Sequence, residues 1–146
     1  MSKNNGFTLA ELLATIVILV LISLVAIPSV LKTIKDSKSE LYDNQINLIK
    51  STAISYVADQ IMHPDIDSSI YQMLYGDIDE YNIYLIELQQ LGYADFEITN
   101  PLCDEKGYFD SSKIYVNIKK QNNNEYLYTV MCQNNCDIKS SCLINV

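Results

Sequence analysis

Twenty consecutive residues without a charge, Leu12 to Leu31, constrain this chain more than any other feature. A helix crosses the hydrocarbon core of a bilayer in about 20 apolar residues, so the run is long enough to span one. One carboxylate, Glu11, stands at the outer margin of the run, four positions after Phe7. An ionisable group at a membrane segment is costly and by default marks function and a partner. Ahead of it lie a short polar leader, Met1 to Asn5, with Lys3 as its one charged side chain, and then Gly6. A cleaved secretory signal places a basic region first, then about 7–15 apolar residues, then a small-residue cut site. Here the run is too long, and the glycine precedes it.

Gly6-Phe7-Thr8-Leu9-Ala10-Glu11 followed by the apolar run resembles the N-terminus of type IV prepilins and of the related pseudopilins of secretion and competence systems. The resemblance is close from Gly6 to about Lys38 and architectural beyond it. It implies that a membrane peptidase cuts between Gly6 and Phe7, that Phe7 becomes the N-methylated first residue, and that Glu11 is retained for assembly. It also gives Pro28 a role, because family members often carry a proline there that bends the helix. Read without the resemblance, Ile27-Pro28-Ser29 ends the membrane span, since proline inside a helix removes a hydrogen bond.

Composition narrows the function classes. The net charge is −8, the ten basic residues are all Lys, and they are scattered. The chain therefore lacks the planar fork that favours Arg at phosphates and any basic patch to follow a nucleic-acid backbone. No nucleic-acid partner is expected. Acidity of this size keeps an exported surface soluble. Eleven Tyr and no Trp suit an extracellular surface.

The four cysteines, Cys103, Cys132, Cys136 and Cys142, all lie in the last third. In an exported chain an even count reads as disulfides. Four cysteines allow three pairings, and spacing does not choose among them. Cys103 with one of the sheet-end cysteines is the favoured pairing, because the loop after Pro101 must cross near the end of the Tyr126 to Cys132 strand. A four-thiolate zinc site is the weaker alternative, since no second close pair follows Cys132 and Cys136. Neither a metal nor a cofactor is expected.

Past Pro28 the pattern turns amphipathic. Tyr42, Ile46, Ile49, Ala53, Tyr56 and Val57 recur at helical spacing, with Lys32, Lys35, Asp36, Lys38, Asp43, Lys50 and Asp59 as polar surface. Lys32, Lys35 and Lys38 follow the apolar run directly. Positive-inside logic places them in the cytoplasm, whereas the family topology places them outside, so orientation rests on the resemblance. The helix is expected to stop near Met62, because Pro64 disfavours helix for His63. Asp65 to Asp79 reads as an acidic, turn-rich connection with one helical turn at Ser69 to Leu74 closed by Gly76. Its acids match no calcium-loop spacing. A second helix is expected over Glu80 to Leu91, capped by Gly92. Phe96 to Thr99 reads as a short strand, and Asp104 to Gly107 as a turn. Two half-buried strands follow, one through Ile114, Val116 and Ile118, the other from Tyr126 to Met131. A polar loop, Gln121 to Asn124, joins them. Gln133 to Val146 is expected to be a folded-back loop.

The expected fold is α+β with the type IV pilin plan: one long helix, half membrane-spanning and half amphipathic, packed on a small antiparallel sheet. The expected division is a leader at 1–6, a transmembrane and assembly half at 7–31, and a head at 32–146 that includes the amphipathic helix 32–62. With one His, no Gly-rich phosphate loop and no nucleophile motif, the chain reads as a structural, self-associating protein rather than an enzyme. The resemblance implies a pilus subunit, with prepilin peptidase, the assembly machinery in the membrane, and identical or mixed pilin subunits as partners. It would reside in the cell membrane before assembly and on the cell surface afterwards. A pseudopilin of a type II-like secretion or competence system is the alternative within the family. A monomeric membrane-anchored binding protein is the alternative outside it.

Overall fold

The structure, a computed structural model, describes residues 7–95, 97–103, 107–121, 125–140 and 142–144. The chain divides into two compact units, Met1–Lys38 and Ser39–Val146. Helix α1, Leu9–Met62, contributes to both and is unbroken through Pro28. In the first unit, every described side chain is exposed.

In the second unit α1 has a buried face made of Tyr42, Ile49, Thr52, Ala53, Tyr56 and Val57, with Ile46 packed at its margin. These positions recur at three, four and seven residues, so they share one stripe of the helix. Thr52 fits among them because its hydroxyl donates to the Ile49 carbonyl at 2.7 Å. The helix ends as the sequence predicts. His63 follows Met62, is exposed, and donates its backbone N–H to the Asp59 carbonyl.

The sheet beside this face is antiparallel, with β1 (Glu80–Tyr84), β3 (Ile114–Lys120) and β4 (Tyr126–Cys132) in the order β1-β3-β4. The central strand is β3, and it buries Ile114, Val116 and Ile118 completely. Burying one such side chain stabilises by about 1.5–3 kcal/mol, so β3 anchors the core. On β4, Tyr126, Tyr128 and Val130 form the inward face, while Leu127 and Thr129 are exposed. The result is the long-helix-on-small-sheet arrangement of the pilin fold.

Three segments differ from the sequence reading. The expected helix Glu80–Leu91 is a strand followed by a short helix, α3 (Leu85–Gln90). Tyr81 and Ile83 alternate inward with period two, and pairing with β3 satisfies the backbone groups on an edge of β3 that a helix here would have left open. The register sets Asn82 opposite Asn117, whose side-chain amide donates to Asn82 Oδ1 at 2.7 Å. Glu87 then starts α3 by accepting the Tyr84 backbone N–H at 3.0 Å. The helix closes as expected on Gly92, at φ 83°, with Gly92 N–H donating to the Gln89 carbonyl and Tyr93 N–H to the Leu88 carbonyl. This is the paired bonding of a Schellman end, which needs the left-handed conformation that glycine adopts freely.

The second difference is α2, Tyr71–Tyr75. It begins two residues after the expected turn, and Gly76 closes it in an extended rather than left-handed conformation. The third difference lies in the tail. Cys142–Ile144 is a strand, β5, paired antiparallel with β2 (Gly107–Phe109) in a second, two-stranded sheet. The expected strand near Thr99 reduces to one bridge between Thr99 and Tyr108, and Phe96 lies outside the described residues. So do residues 104–106 of the expected turn and 122–124 of the hairpin loop, although Gln121 and Glu125 close that hairpin with a 2.8 Å backbone bond. Asn100 ties the tail down. It is buried, and its side-chain amide donates to the Lys139 carbonyl at 3.2 Å.

Candidate functional site

The N-terminal segment holds the residues that the sequence singles out for processing and assembly. Gly6 lies outside the described residues, and Phe7 is 73% exposed. Thr8 precedes the first helical residue, and Glu11 is in the first turn. The Thr8 backbone N–H donates to Glu11 Oε2 at 2.8 Å, and the Thr8 hydroxyl donates to the same oxygen at 2.9 Å. In return the Glu11 backbone N–H donates to Thr8 Oγ1 at 3.3 Å. This is a reciprocal capping box, which satisfies two of the donors that a helix start leaves orphaned. A carboxylate there also meets the positive end of the helix dipole. All of these bonds to the carboxylate use Oε2.

The sequence reading missed Thr8. The signal was present, because Thr-x-x-Glu ahead of an apolar run is the sequence form of a capping box. Glu11 thus has a role within its own chain in addition to any role toward a neighbour.

Beyond Glu11, Leu12, Leu13, Ile16 to Ile22, Leu24, Val25, Ile27, Val30 and Leu31 are all more than half exposed. Soluble monomers rarely expose contiguous apolar surface above a few hundred Å2. Among the described residues, one helix is long and apolar enough to cross a membrane, and it is this one. Pro28 lacks the N–H that would reach Leu24, so one rung is missing. Ser23, Ser29 and Thr33 fold their hydroxyls back onto the carbonyls of Leu19, Ala26 and Ser29, leaving little polar surface on this stretch.

The cysteines sit in the second unit. Cys132 ends β4 and is bonded to Cys136, with Cα atoms 5.3 Å apart, inside the range a disulfide requires. A tight turn, Gln133–Asn135, brings them together, with Asn134 at φ 58° and the Cys136 N–H donating to the Gln133 carbonyl. Asparagine tolerates that left-handed conformation better than most residues. The local turn therefore pairs Cys132 and Cys136 with each other, so neither of these two is the partner of Cys103. Cys103 is buried and disulfide-bonded. Cys142 lies in β5 by its backbone, and its side chain falls outside the described residues. Among the described residues, no group of three or more His, Cys, Asp or Glu is placed to hold a metal ion.

Residues 1–27 match the family model for the prokaryotic N-terminal methylation motif. No curated protein and no solved structure matches the chain. The motif is the class III leader of type IV pilins and pseudopilins, and this chain carries it. Its N-terminus is that of a pilin-like precursor, of the kind processed by prepilin peptidase and anchored in the membrane by the apolar helix that follows.

Proposed function

We propose that this chain is a structural subunit of a type IV pilus filament, cut between Gly6 and Phe7 and assembled through the first half of α1. The observation that carries the reading is the conjunction of the methylation motif with an apolar helical segment exposed on every side. Such a segment needs lipid before assembly and other subunits after it. Glu11 is assigned to pair with the Phe7 amine of a neighbouring subunit. Its Oε1, which takes no part in the capping box, supports this, because the carboxylate can keep its cap and still accept a second donor. Breaking such a pair once it is buried costs about 3–5 kcal/mol.

Intact-mass measurement of the purified subunit should show Phe7 as the first residue, carrying one added methyl group. Deleting the prepilin peptidase should abolish surface filaments and leave the uncut precursor in the membrane. Glu11→Ala should leave the subunit folded and membrane-bound while its incorporation into filaments falls sharply. A mature subunit that still begins at Met1, or filaments that assemble normally with Glu11→Ala, would refute this reading. Short assemblies confined to the cell envelope, without surface filaments, would favour the pseudopilin alternative.

A further inference from the structure

Away from the assembly helix, the second unit contains a cleft of about 300 Å3. It opens between Tyr56 on α1, Asp67 and Ser69 in the connecting loop, Tyr81 on β1, and Glu87 and Gln90 on α3. Tyr56 is 94% buried, being 6% exposed, and lines this cleft. Its ring packs edge-on against Tyr93 with centroids 5.4 Å apart. Its hydroxyl has no hydrogen-bond partner among the described residues. A buried hydroxyl without a partner forfeits the hydration it had when unfolded, at a cost that folded proteins rarely tolerate without a reason.

The charges around the cleft share one sign. Among the described residues, the charged ones lining it are Asp67 and Glu87, both acidic. Both tyrosines register that field together with their burial. Burial first, then the Glu87 and Asp65 carboxylates, push the Tyr56 hydroxyl up. Burial, with Tyr56 and Glu87 nearby, pushes Tyr81 up to about 12.

We propose that this cleft is a binding site for an alkylammonium group, the chemistry of a lysine side chain or a free aliphatic amine. An ammonium carries three donors and no acceptor. The cleft supplies the complement: the Glu87 and Asp67 carboxylates, the Tyr56 hydroxyl oxygen, and tyrosine rings that attract a cation. The volume holds the four-carbon stem as well as the charged head. A second copy of this chain is one source of such a group, because all ten of its basic residues are Lys. The inference does not depend on the filament reading.

The test uses the full chain in a non-ionic polyoxyethylene detergent, which is neither a glycoside nor a quaternary amine, with tyrosine rings labelled for NMR. Titration with 1,5-diaminopentane should shift the Tyr56 and Tyr81 signals saturably. Glu87→Gln keeps an acceptor for the Tyr84 N–H, so α3 retains its start. That variant should weaken binding about tenfold or more, the usual scale for a hydrogen bond to a charged group. Tyr56→Phe should weaken it severalfold while leaving thermal stability equal or higher, because the hydroxyl gives up no bond in the unliganded fold. The source is read in two further arms. Shifts at the same tyrosines on raising protein concentration alone, lost after lysine acetylation, would identify a second copy. Shifts that need added amine would identify a free ligand. The proposal is overturned by an absence of saturable shifts, by affinity unchanged in both variants, by lost stability with unchanged affinity in Tyr56→Phe, or by a neutral methyl glycoside binding where the diamine does not.

Discussion

At the scale of single residues, two side chains in the second unit translate directly into pH dependence. Asp110 is buried at the turn into β3. Its Oδ1 accepts the Ser112 backbone N–H at 3.2 Å and the Ser112 hydroxyl at 2.6 Å, and its Oδ2 lies 2.8 Å from Lys113 Nζ. Burial pushes the carboxyl up, but the bonds from Lys113 and Ser112 outweigh it and hold the group below the usual carboxylate range. A depressed carboxylate stabilises above its unfolded pKa and loses that contribution as pH falls through the folded value. Asp110→Ala should cost about 1–3 kcal/mol at neutral pH, seen as a lower urea midpoint, and the variant should lose less than the parent on acidification. Most of that cost should come from the Ser112 bonds, because Lys113 is 58% exposed and exposed ion pairs contribute little. Tyr93 behaves in the opposite sense. Its hydroxyl donates to Asp59 on α1, and that bond, with burial and the Asp59 charge, pushes it up to about 12. A raised tyrosine stabilises fully below its unfolded pKa near 10 and loses that contribution as pH rises toward 12. Urea midpoints should therefore fall across that alkaline window, and fall less steeply in Tyr93→Phe. Tyr81 shares the window, so some slope should remain in the variant.

Among the elements, those with a strong local period were legible in the sequence, and those decided by a distant partner were not. The buried stripe of α1 from Tyr42 to Val57 and the inward alternation of β3 follow from spacing alone. The segment Glu80–Leu91 did not, because Tyr81, Tyr84, Leu85 and Leu88 also fit a helical face. Its first half is a strand because β3, more than thirty residues later, offers an edge to pair with. The β2–β5 sheet escaped for a similar reason, since its strands are three residues each and lie far apart in sequence. The candidate site divides the same way. Gly6, Phe7 and Glu11 stand out as a pattern, whereas the bond between Cys132 and Cys136 depends on a left-handed Asn134 that spacing does not announce. Gly92 was legible, and it sets a prediction at this scale. A Cβ there would meet no atom within 4 Å, so Gly92→Ala introduces backbone strain and no clash. It should destabilise by about 1–2 kcal/mol in thermal unfolding, and Gly92→Asn by less.

For the whole molecule, the division at Lys38 and Ser39 separates two kinds of surface. Among the described residues, the first unit has exposed side chains and none that is buried, while the second holds all the buried core residues. A chain beginning at Ser39 should therefore fold without detergent, remain monomeric, and give a circular dichroism spectrum with both helix and sheet. The full chain should need detergent or lipid to stay dispersed. Aggregation of the shorter chain, or loss of its sheet signal, would show that the first unit supplies folding energy as well as attachment. The aromatic residues have an optical consequence. The chain has eleven Tyr and no Trp, and several rings sit in close pairs: Tyr71 with Tyr75 at 4.9 Å, Tyr56 with Tyr93 at 5.4 Å, and Tyr84 with Tyr115 at 5.5 Å. With no indole to trap it, excitation absorbed by one phenol hops to its neighbour before emission, and the emitted light loses the polarisation of the incident beam. Unfolding parts the rings, shuts off the hopping between them, and makes polarised emission from the unlabelled chain a gauge of its own fold.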